Sequence, residues 1–583
     1  MKYRKAGEWG NKNNFPGILF FTQLFEELIF DYSLDTNKPS AMNSYTLLRE
    51  ALETIDLIDQ KIIDQANLQH IIDEALGKIN RDPSALELIT IEKNEYSATL
   101  NNPKASTKEK RVTLEILAAQ LRDRYKTTVE ENLEKSILEN NQDLIITHTR
   151  NLATILNDFG YSNTKIKNEI SQTFFNTSDK INNNTVREFI ERFRQPSRKY
   201  TVIARANSVF REIKEPSALL SCQITETPTP YEKIITTKNY TLAQDQTYIL
   251  IKDISSKDLY SCHGHAQSRI EKLSTLTVLF HHKECPEWDS KFLIIDQDSL
   301  QGFLVKKPLN PMLKCIDMKA QKAGKELNNL IEKFSLWEDS FSKFMRSAEL
   351  HSLALKSHSP ENQLINLWIS LETLTPPSNE KSKISNIIDN IIPFISLTYY
   401  SRIIRRTTSD IFRWDRSSLK HITREISGKS LPHKIFKIIA LEEHNERYNE
   451  LLARTEKFYL LNNRTQQLKK ATTTPKILIS NLEKHEERAA WQLRRIYRTR
   501  NLIVHSGQTA PYIEILIENL HDYIDIATGQ IVKLASNGDK INSLEQAFKV
   551  TEFNYRNLKR SLKNNDSWSE IEIDRLMADR YFK

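Results

Sequence analysis

Hydrophobic residues recur at intervals of three and four positions along most of the chain, which is the spacing of amphipathic helices. In the first part, from Ser44 to about Phe159, the pattern is interrupted by Pro83. Its clearest positions are Ile55, Ile58, Ile62, Leu68, Ile71, Ile72, Ala75 and Ile79. The same spacing returns beyond Pro311 and continues to the C-terminus. Both ends of the chain are therefore predicted to be helical.

The middle of the chain has a different pattern. Short segments rich in β-branched and aromatic residues predict strands at 200–204, 247–251, 274–280 and 291–295. An Asn-rich stretch, 176–185, predicts a loop before them. The expected fold class is mainly α, in three domains: a helical domain at 1–195, a small β-containing domain at 196–315 and a helical bundle at 316–583.

Composition supports a helix-rich fold and limits the surface available to nucleic acid. The 583 residues include only 12 glycines and 18 prolines, with 27% charged residues, which argues against a β-sandwich or a disordered chain. The net charge of +8 is small for this length. Any nucleic-acid surface is therefore expected to be local.

The N-terminal apolar run, Phe15–Phe30, is interrupted by Gln23, Glu26 and Glu27 and lacks the features of a signal peptide. It predicts neither a leader nor a membrane anchor. Four scattered cysteines do not form a disulfide framework and are expected to be free thiols in a reducing compartment. We therefore expect a cytoplasmic protein with no membrane partner.

One group of residues has metal-ligand chemistry, namely Cys262, His265, His282 and Cys285. Two ligand pairs on adjacent strands could hold zinc, but the spacing matches no tight Cys-x2-Cys pattern. An ordinary β-domain surface is the favoured interpretation, and no metal or cofactor is predicted.

The most informative segment is residues 491–506, WQLRRIYRTRNLIVHS, which is followed by the helix-stopping Gly507. It places Arg500 and His505 on the last turns of a predicted helix. At 100° per residue, Asn501 and His505 share a face, whereas Arg500 is about 140° from His505. The two side chains meet only if Arg500 reaches around, the helix end loosens, or a second copy supplies the partner. The last option predicts a homodimer or a higher homo-oligomer.

Arginine and histidine in this arrangement suit metal-free cleavage of a phosphodiester. The reference pKa of histidine, about 6.5, allows His505 to accept or give a proton, and Arg500 can stabilise the charge of a phosphorane-like transition state. Asn501 could hold a phosphate oxygen or orient His505.

Basic and aromatic side chains near this motif are candidates for binding single-stranded RNA. On the same helix they are Arg494, Arg495, Tyr497 and Arg498. A second basic stretch, 401–430, includes Arg405 and Arg406. For both groups the alternative is a solvated basic helix face.

The string Arg-Asn-x-x-x-His at 500–505 resembles the R-x(4–6)-H signature of the HEPN superfamily. Upstream, the segment 364–374, with Trp368 and Leu371-Glu372, is similar to the opening helix of ApeA-like HEPN domains. The resemblance covers about 335–535. The long separation between Glu372 and Arg500 predicts extra helices between the two motifs. Glu372 is a candidate orienter of Arg500 or His505, although a structural ion pair is the favoured role.

The resemblance implies a metal-independent endoribonuclease that uses the 2′-hydroxyl of RNA, acting as a toxic effector in anti-phage or abortive-infection defence. Residues 1–330 would sense a phage-derived trigger or restrain the nuclease. Two alternatives remain: a non-catalytic HEPN module that binds RNA or protein, and a HEPN antitoxin partnered by a nucleotidyltransferase.

Overall fold

The computed structural model describes residues 15–577 except 64, 177–180, 280, 316, 379 and 537–540. The fold is mainly α with one five-stranded sheet, as the sequence predicts. It divides into two compact units. The helical unit joins residues up to Leu152 with those from Lys314 onward, and the sheet unit contains Ala153–Leu313.

The helices of the helical unit come from both ends of the chain. The first group is α1 Pro16–Leu28, α2 Ser44–Asp59, α3 Ala66–Ile79, α4 Pro83–Leu88, α5 Lys93–Asn101, α6 Thr107–Arg122, α7 Tyr125–Leu138 and α8 Gln142–Asp158, and the unit boundary falls inside α8. The helices of the sheet unit are α9 Asn163–Ile170, α10 Thr185–Glu191, α11 Glu232–Thr237 and α12 Leu259–Val278.

The second group of helices in the helical unit contains both predicted motifs. It is α13 Ala320–Lys333, α14 Glu338–Lys356, α15 Pro360–Leu374, α16 Lys383–Trp414, α17 Arg416–Ile422, α18 Leu431–Ala440, α19 Asn445–Thr455, α20 Tyr459–Ala471, α21 Pro475–Ser506, α22 Ile513–Ser536, α23 Leu544–Lys563 and α24 Glu570–Leu576. Helices α16 to α20 lie between the two motifs, which confirms the predicted extra helices.

The sequence predicts two separate domains, at 1–195 and at 316–583. The helical unit instead contains residues from both of these segments. Buried polar contacts join the two segments within the helical unit. Gln23 Oε1 in α1 accepts a hydrogen bond from the Leu460 amide at 3.0 Å, and Glu27 pairs with Arg464 at 3.2 Å. Such distant pairings have no signature in a local hydrophobic pattern. The β-containing unit also begins earlier than predicted, at Ala153.

Local sequence accounts for close packing inside the helical unit. Helix α2 begins with a capping box between Asn43 and Thr46, which satisfies amide groups that the first turn leaves unpaired. Gly17 in α1 lies against α7, where an added Cβ would come within 2.1 Å of the Ile137 carbonyl oxygen. A larger side chain at position 17 would therefore force the two helices apart.

Among the described residues, no helix combines the length and apolar character that a membrane span requires.

The sheet of the sheet unit is antiparallel, with the strand order β2-β3-β1-β4-β5. The strands are β1 Arg198–Asn207, β2 Cys222–Thr225, β3 Gln246–Ser256, β4 Lys291–Asp296 and β5 Gly302–Lys306. One face packs against α12 through residues such as Val202 and Ile270, and the other face covers Ile235 of α11. The strands predicted at 200–204, 247–251 and 291–295 are confirmed.

The strand predicted at 274–280 is wrong. Residues 274–278 form the last turns of α12, and Phe280 lies outside the described residues. Asp258 begins this helix by accepting hydrogen bonds from the amides of Tyr260 and Ser261. Buried positions three and four apart, among them Ile270 and Leu273, then continue the helical period into the β-branched segment. The predicted Asn-rich loop, 176–185, lies partly at 177–180, outside the described residues, and Thr185 already begins α10.

Candidate functional site

The predicted catalytic string lies at the C-terminal end of α21. Thr474 caps the start of this helix by accepting a hydrogen bond from the Ile477 amide, and Pro475 occupies its first turn. Gly507 ends the helix in the left-handed conformation, at φ 65°, and its amide donates to the Ile503 carbonyl at 3.1 Å. The sequence therefore fixes both ends of the helix, and it places His505 in the last turn as predicted.

Arg500 and Asn501 are half-buried, whereas His505 is exposed. Arg500 Nη1 donates a hydrogen bond to Asn501 Oδ1 at 3.1 Å. The Nε atom of Arg500 is buried and has no hydrogen-bond partner among the described residues. Asn501 thus holds the Arg500 guanidinium, whose buried Nε–H group has no acceptor among the described residues.

The described chain forms no hydrogen bond between Arg500 and His505. Their separation around the helix, about 140°, accounts for this. Asn501, which shares a face with His505, instead contacts Arg500. One copy of the chain therefore presents an exposed imidazole and a partly sheltered guanidinium that are not joined. A histidine can exchange a proton and an arginine can stabilise an anion, so the three side chains have the chemistry for acid–base and anion-stabilising roles.

Glu372, the predicted supporting residue, has other partners. It lies in α15, where Trp368 Nε1 donates to its Oε1 at 2.5 Å and Lys383 Nζ lies 2.9 Å from its Oε2. Trp368 itself is fully buried and packs against Tyr497 of α21, with ring centroids 5.5 Å apart. Glu372 therefore forms a structural ion pair, which was the favoured interpretation, and the Trp and Leu-Glu motif serves the core between α15 and α21.

Two of the predicted RNA-binding arginines are inside the helical unit. Arg495 and Arg498 are only 3% and 6% exposed. Arg495 donates from Nε and Nη2 to the two carboxylate oxygens of Glu50, at 2.8 and 2.9 Å, and also contacts Glu74. Arg498 pairs with Glu50 too. The prediction that Arg495 and Arg498 bind RNA is wrong, because two acids far away in the sequence neutralise and cover them.

The other candidates on α21 are half-buried. The ring of Tyr497 packs on Trp368 and so does not offer a free stacking face. Burial lowers the pKa of Arg494, with the carboxylate of Asp389 acting in the opposite direction. Neither side chain belongs to an open basic surface of the kind predicted from the sequence.

The second basic stretch divides into a packed part and an exposed part. Arg405 and Arg406 are half-buried in α16, and Arg406 Nη2 donates to the Tyr32 carbonyl at 2.5 Å. Both side chains, which the sequence predicts to bind RNA, are therefore partly covered by the rest of the protein. Beyond them, four basic side chains at the end of α16, in α17 and just after it are exposed, and together we call them the basic surface: Arg413, Arg416, Lys420 and Arg424.

The zinc alternative at Cys262, His265, His282 and Cys285 loses its structural basis. Cys262 and His265 lie on α12 rather than on a strand, and Cys262 is fully buried. Burial raises the pKa of the Cys262 thiol to about 12, which opposes the thiolate form that binds metals. Cys285 is exposed in the loop after α12.

Among the described residues, a different group brings three metal-ligating side chains together: His351 in α14 with His521 and Asp525 in α22. The two imidazole rings meet edge to face at 4.9 Å. Burial, and then the neighbouring His351, lower the pKa of His521 to about 4, and burial lowers the pKa of His351. Both imidazoles are therefore neutral at pH 7, the form that can bind a metal.

Sequence reasoning missed this group. His351 stands alone in its stretch of the sequence, because its partners lie far along the chain. The one available signal was the spacing of His521 and Asp525, which places both on one helix face.

The sheet unit contains a cavity of about 360 Å³ that is lined by several charged side chains. Its basic side chains are already engaged by acids or carbonyl groups. Arg192 contacts Glu169 at 3.0 Å and Arg198 contacts Asp296 at 3.2 Å, while Lys257 Nζ donates to the Gln195 carbonyl at 3.0 Å. The cavity therefore offers little uncompensated charge to an ionic ligand.

Comparison of the chain with protein-family models, with curated proteins and with solved structures found no match.

Proposed function

We propose that this chain is a metal-independent endoribonuclease of the HEPN type, with Arg500, Asn501 and His505 as its reacting side chains. The observation that carries the proposal is the end of α21. There an exposed imidazole follows a half-buried guanidinium that has one unsatisfied donor. The terminal N–H groups of such a guanidinium suit a phosphate oxygen, because guanidinium groups bind phosphate through several N–H groups at once.

The reaction follows from these groups and the RNA itself. A histidine accepts the proton of a ribose 2′-hydroxyl as its oxygen attacks the adjacent phosphorus. The bond from phosphorus to the 5′-oxygen breaks, and a histidine gives the leaving oxygen its proton. The products are a 2′,3′-cyclic phosphate and a 5′-hydroxyl end. Arg500 stabilises the negative charge on phosphorus-bound oxygens in the transition state, and Asn501 holds the guanidinium in place.

A second copy of the chain would bring the two functions together. In one copy Arg500 and His505 point to different sides of α21 and share no hydrogen bond among the described contacts. In a symmetric pair of helix ends, each of two equivalent sites takes its guanidinium from one copy and its imidazole from the other, and that imidazole serves first as base and then as acid. We therefore propose that the active form is a homodimer or a larger assembly built from such pairs.

The basic surface supplies the RNA contacts in this proposal. Arg413, Arg416, Lys420 and Arg424 are exposed, unlike the buried arginines of α21. Contacts from such side chains to phosphates position a strand without selecting its sequence. This is appropriate for a toxic effector that degrades RNA broadly, the role in anti-phage or abortive-infection defence that the HEPN resemblance suggests. A phage-derived trigger or regulatory partner would then release the activity.

A cytoplasmic location is part of the same proposal. The four cysteines are unpaired, and Cys222 and Cys262 are buried. Unpaired thiols are typical of proteins from a reducing compartment, where cellular RNA is also found.

The test is cleavage of labelled single-stranded RNA by the purified full chain in EDTA. Arg500→Ala and His505→Ala should each slow cleavage by about 10²–10⁴-fold, the usual contribution of general acid–base or charge-stabilising groups. Asn501→Ala should have a smaller effect. Arg488→Ala is the matched control, since Arg488 is exposed earlier on the same helix. Intact RNA with wild-type protein, or equal cleavage by all variants, would support the non-catalytic alternative.

A further inference from the structure

A second site, unrelated to the proposed cleavage chemistry, lies between α14 and α22. His521 and Asp525 are four residues apart and therefore project from one face of α22. His351 approaches them from α14. One ligand atom from each of the three side chains lies within 4.8 Å of the other two. Two imidazole nitrogens and a carboxylate oxygen thus converge from two helices that are distant in sequence.

An unsatisfied polar atom also marks this group as a candidate ligand site. The Nε2 atom of His351 is buried and has no hydrogen-bond partner among the described residues. A buried polar atom without a partner is unfavourable, so such atoms usually mark an ion or a bound molecule. The nearby His521 Nε2 is 3.6 Å from Asp525 Oδ2, which is too long for a hydrogen bond that would explain the arrangement.

The surroundings favour a cation. Burial, followed by the nearby carboxylates of Asp522 and Asp317, raises the pKa of Asp525 to about 7, and a bound cation would stabilise the charged form of this carboxyl group. Asp522 is balanced by Arg402 at 3.1 Å, whereas Asp317 accepts only a weak hydrogen bond from the Cys315 thiol at 3.4 Å. The group therefore combines two imidazole nitrogens with one carboxylate, and two further carboxylates lie near it.

We propose that His351, His521 and Asp525 bind one divalent transition-metal ion, with zinc as the best match to this donor set, and that the ion ties α14 to α22. Zinc is commonly held by two histidines and one carboxylate, with a fourth position open to water or another ligand. Tetrahedral zinc separates its ligand atoms by roughly 3.4 Å. His521 Nε2 and Asp525 Oδ2, 3.6 Å apart, are already close to that separation.

Zinc binding to the purified full chain tests this proposal directly. After removal of bound metals, titration with Zn²⁺ alone against a chromophoric chelator should give about one tight site per chain, and zinc should raise the melting temperature. His351→Ala, His521→Ala and Asp525→Asn should each weaken binding by at least about tenfold.

The chain offers a matched control in a second His–Asp contact without a third ligand. His433 Nε2 lies 3.0 Å from Asp574 Oδ1, and Asp574→Asn should leave zinc binding unchanged.

If the histidine variants fail to fold, Asp525→Asn still tests the site, because the Asp525 side chain is half-exposed. Titration with Co²⁺ should give visible absorption bands of tetrahedral intensity in the wild type and weaker, shifted bands in Asp525→Asn. Failure of both ions to bind, or binding that is equal in the wild type, Asp525→Asn and Asp574→Asn, would overturn the proposal. Neither result depends on RNA cleavage. Because EDTA would remove such a zinc ion, the melting temperature of the chain in EDTA shows whether it stays folded in the cleavage test, so the two proposals fail separately.

Discussion

Arg495 in α21 donates two hydrogen bonds to the carboxylate of Glu50 in α2, from Nε at 2.8 Å and from Nη2 at 2.9 Å. Both side chains are almost completely buried. This pairing joins the N-terminal helices to the helix that carries Arg500 and His505. The arginine-rich stretch before Arg500 therefore helps to hold the helical unit together.

Removing the charge of Glu50 should destabilise the helical unit strongly. In Glu50→Gln the buried guanidinium groups of Arg495 and Arg498 lose their shared carboxylate, a change that typically costs about 3–5 kcal/mol. The free energy of unfolding in urea measures the loss. Glu349→Gln is the control, because it breaks an ion pair with Arg346 in which both side chains are 59% exposed. That change should cost no more than about 1 kcal/mol. Equal losses in the two variants would contradict the assigned role of Glu50.

Neutralising the basic surface should weaken RNA binding in a salt-dependent way. For single strands the slope of log affinity against log salt changes by about 0.7 for each phosphate contact. Changing Arg413, Arg416, Lys420 and Arg424 to glutamine should therefore reduce the slope by up to about 3. Fluorescence anisotropy at several salt concentrations measures it. Lys322→Gln with Lys325→Gln, which removes exposed charges from α13, should leave the slope unchanged. An unaltered slope in the fourfold variant would remove the basic surface from the proposal.

Acid should destabilise the helical unit through His485 of α21. This imidazole is buried and stacks on Tyr399, with ring centroids 3.6 Å apart. Burial, followed by the positive charges of Arg488 and Arg402, lowers its pKa to about 3. Between about pH 6.5 and pH 3 the unfolded chain binds a proton that the folded chain excludes. The free energy of unfolding should therefore fall as the pH falls, by up to about 1.4 kcal/mol per pH unit from this group.

The variant His485→Phe keeps an aromatic ring against Tyr399 and removes the titrating group. Urea unfolding between about pH 7 and pH 5 should show a shallower loss of stability than in the wild type. Tyr399→Phe keeps the histidine and should retain the wild-type slope, whatever its effect on stability at pH 7. If His485→Phe and the wild type lose stability in parallel, the buried neutral imidazole is the wrong explanation.

Much of the fold follows from the sequence because its causes are local. The helical period, the proline and threonine at the start of α21 and Gly507 at its end place Arg500 and His505 near a helix end. Three strands of the sheet are predicted by their β-branched residues. The helical structure of 274–278 is not predicted from its composition, which is typical of a strand. This segment instead continues the helix that Asp258 starts.

The site could be predicted only in part, since its remaining features depend on distant residues. Nothing near Arg495 or Arg498 indicates that Glu50 covers them. Likewise, His351 gains its significance from His521 and Asp525 on another helix. Charge runs in a sequence therefore identify candidate surfaces, whereas burial against distant acids decides which of the arginines remain available.

Mixing two inactive variants tests whether two copies share the site. If each site takes Arg500 from one copy and His505 from the other, a mixed dimer of Arg500→Ala and His505→Ala chains has one intact site. After subunit exchange, an equal mixture should recover about a quarter of the wild-type activity, since half of the dimers are mixed and each has one of two sites. Each variant mixed with itself is the control. No recovery, despite exchange confirmed by labelled chains, would place both groups of a site in one copy.

The chemistry of the cut RNA ends tests the central claim most directly. In EDTA, the wild-type chain should leave a 2′,3′-cyclic phosphate and a 5′-hydroxyl, and a substrate with a single 2′-deoxynucleotide at the cut position should stay intact there. His505→Ala should yield neither product. Ends that carry a 5′-phosphate, cutting at the 2′-deoxynucleotide, or unchanged products from His505→Ala would contradict the assignment of Arg500 and His505 to RNA cleavage through the 2′-hydroxyl.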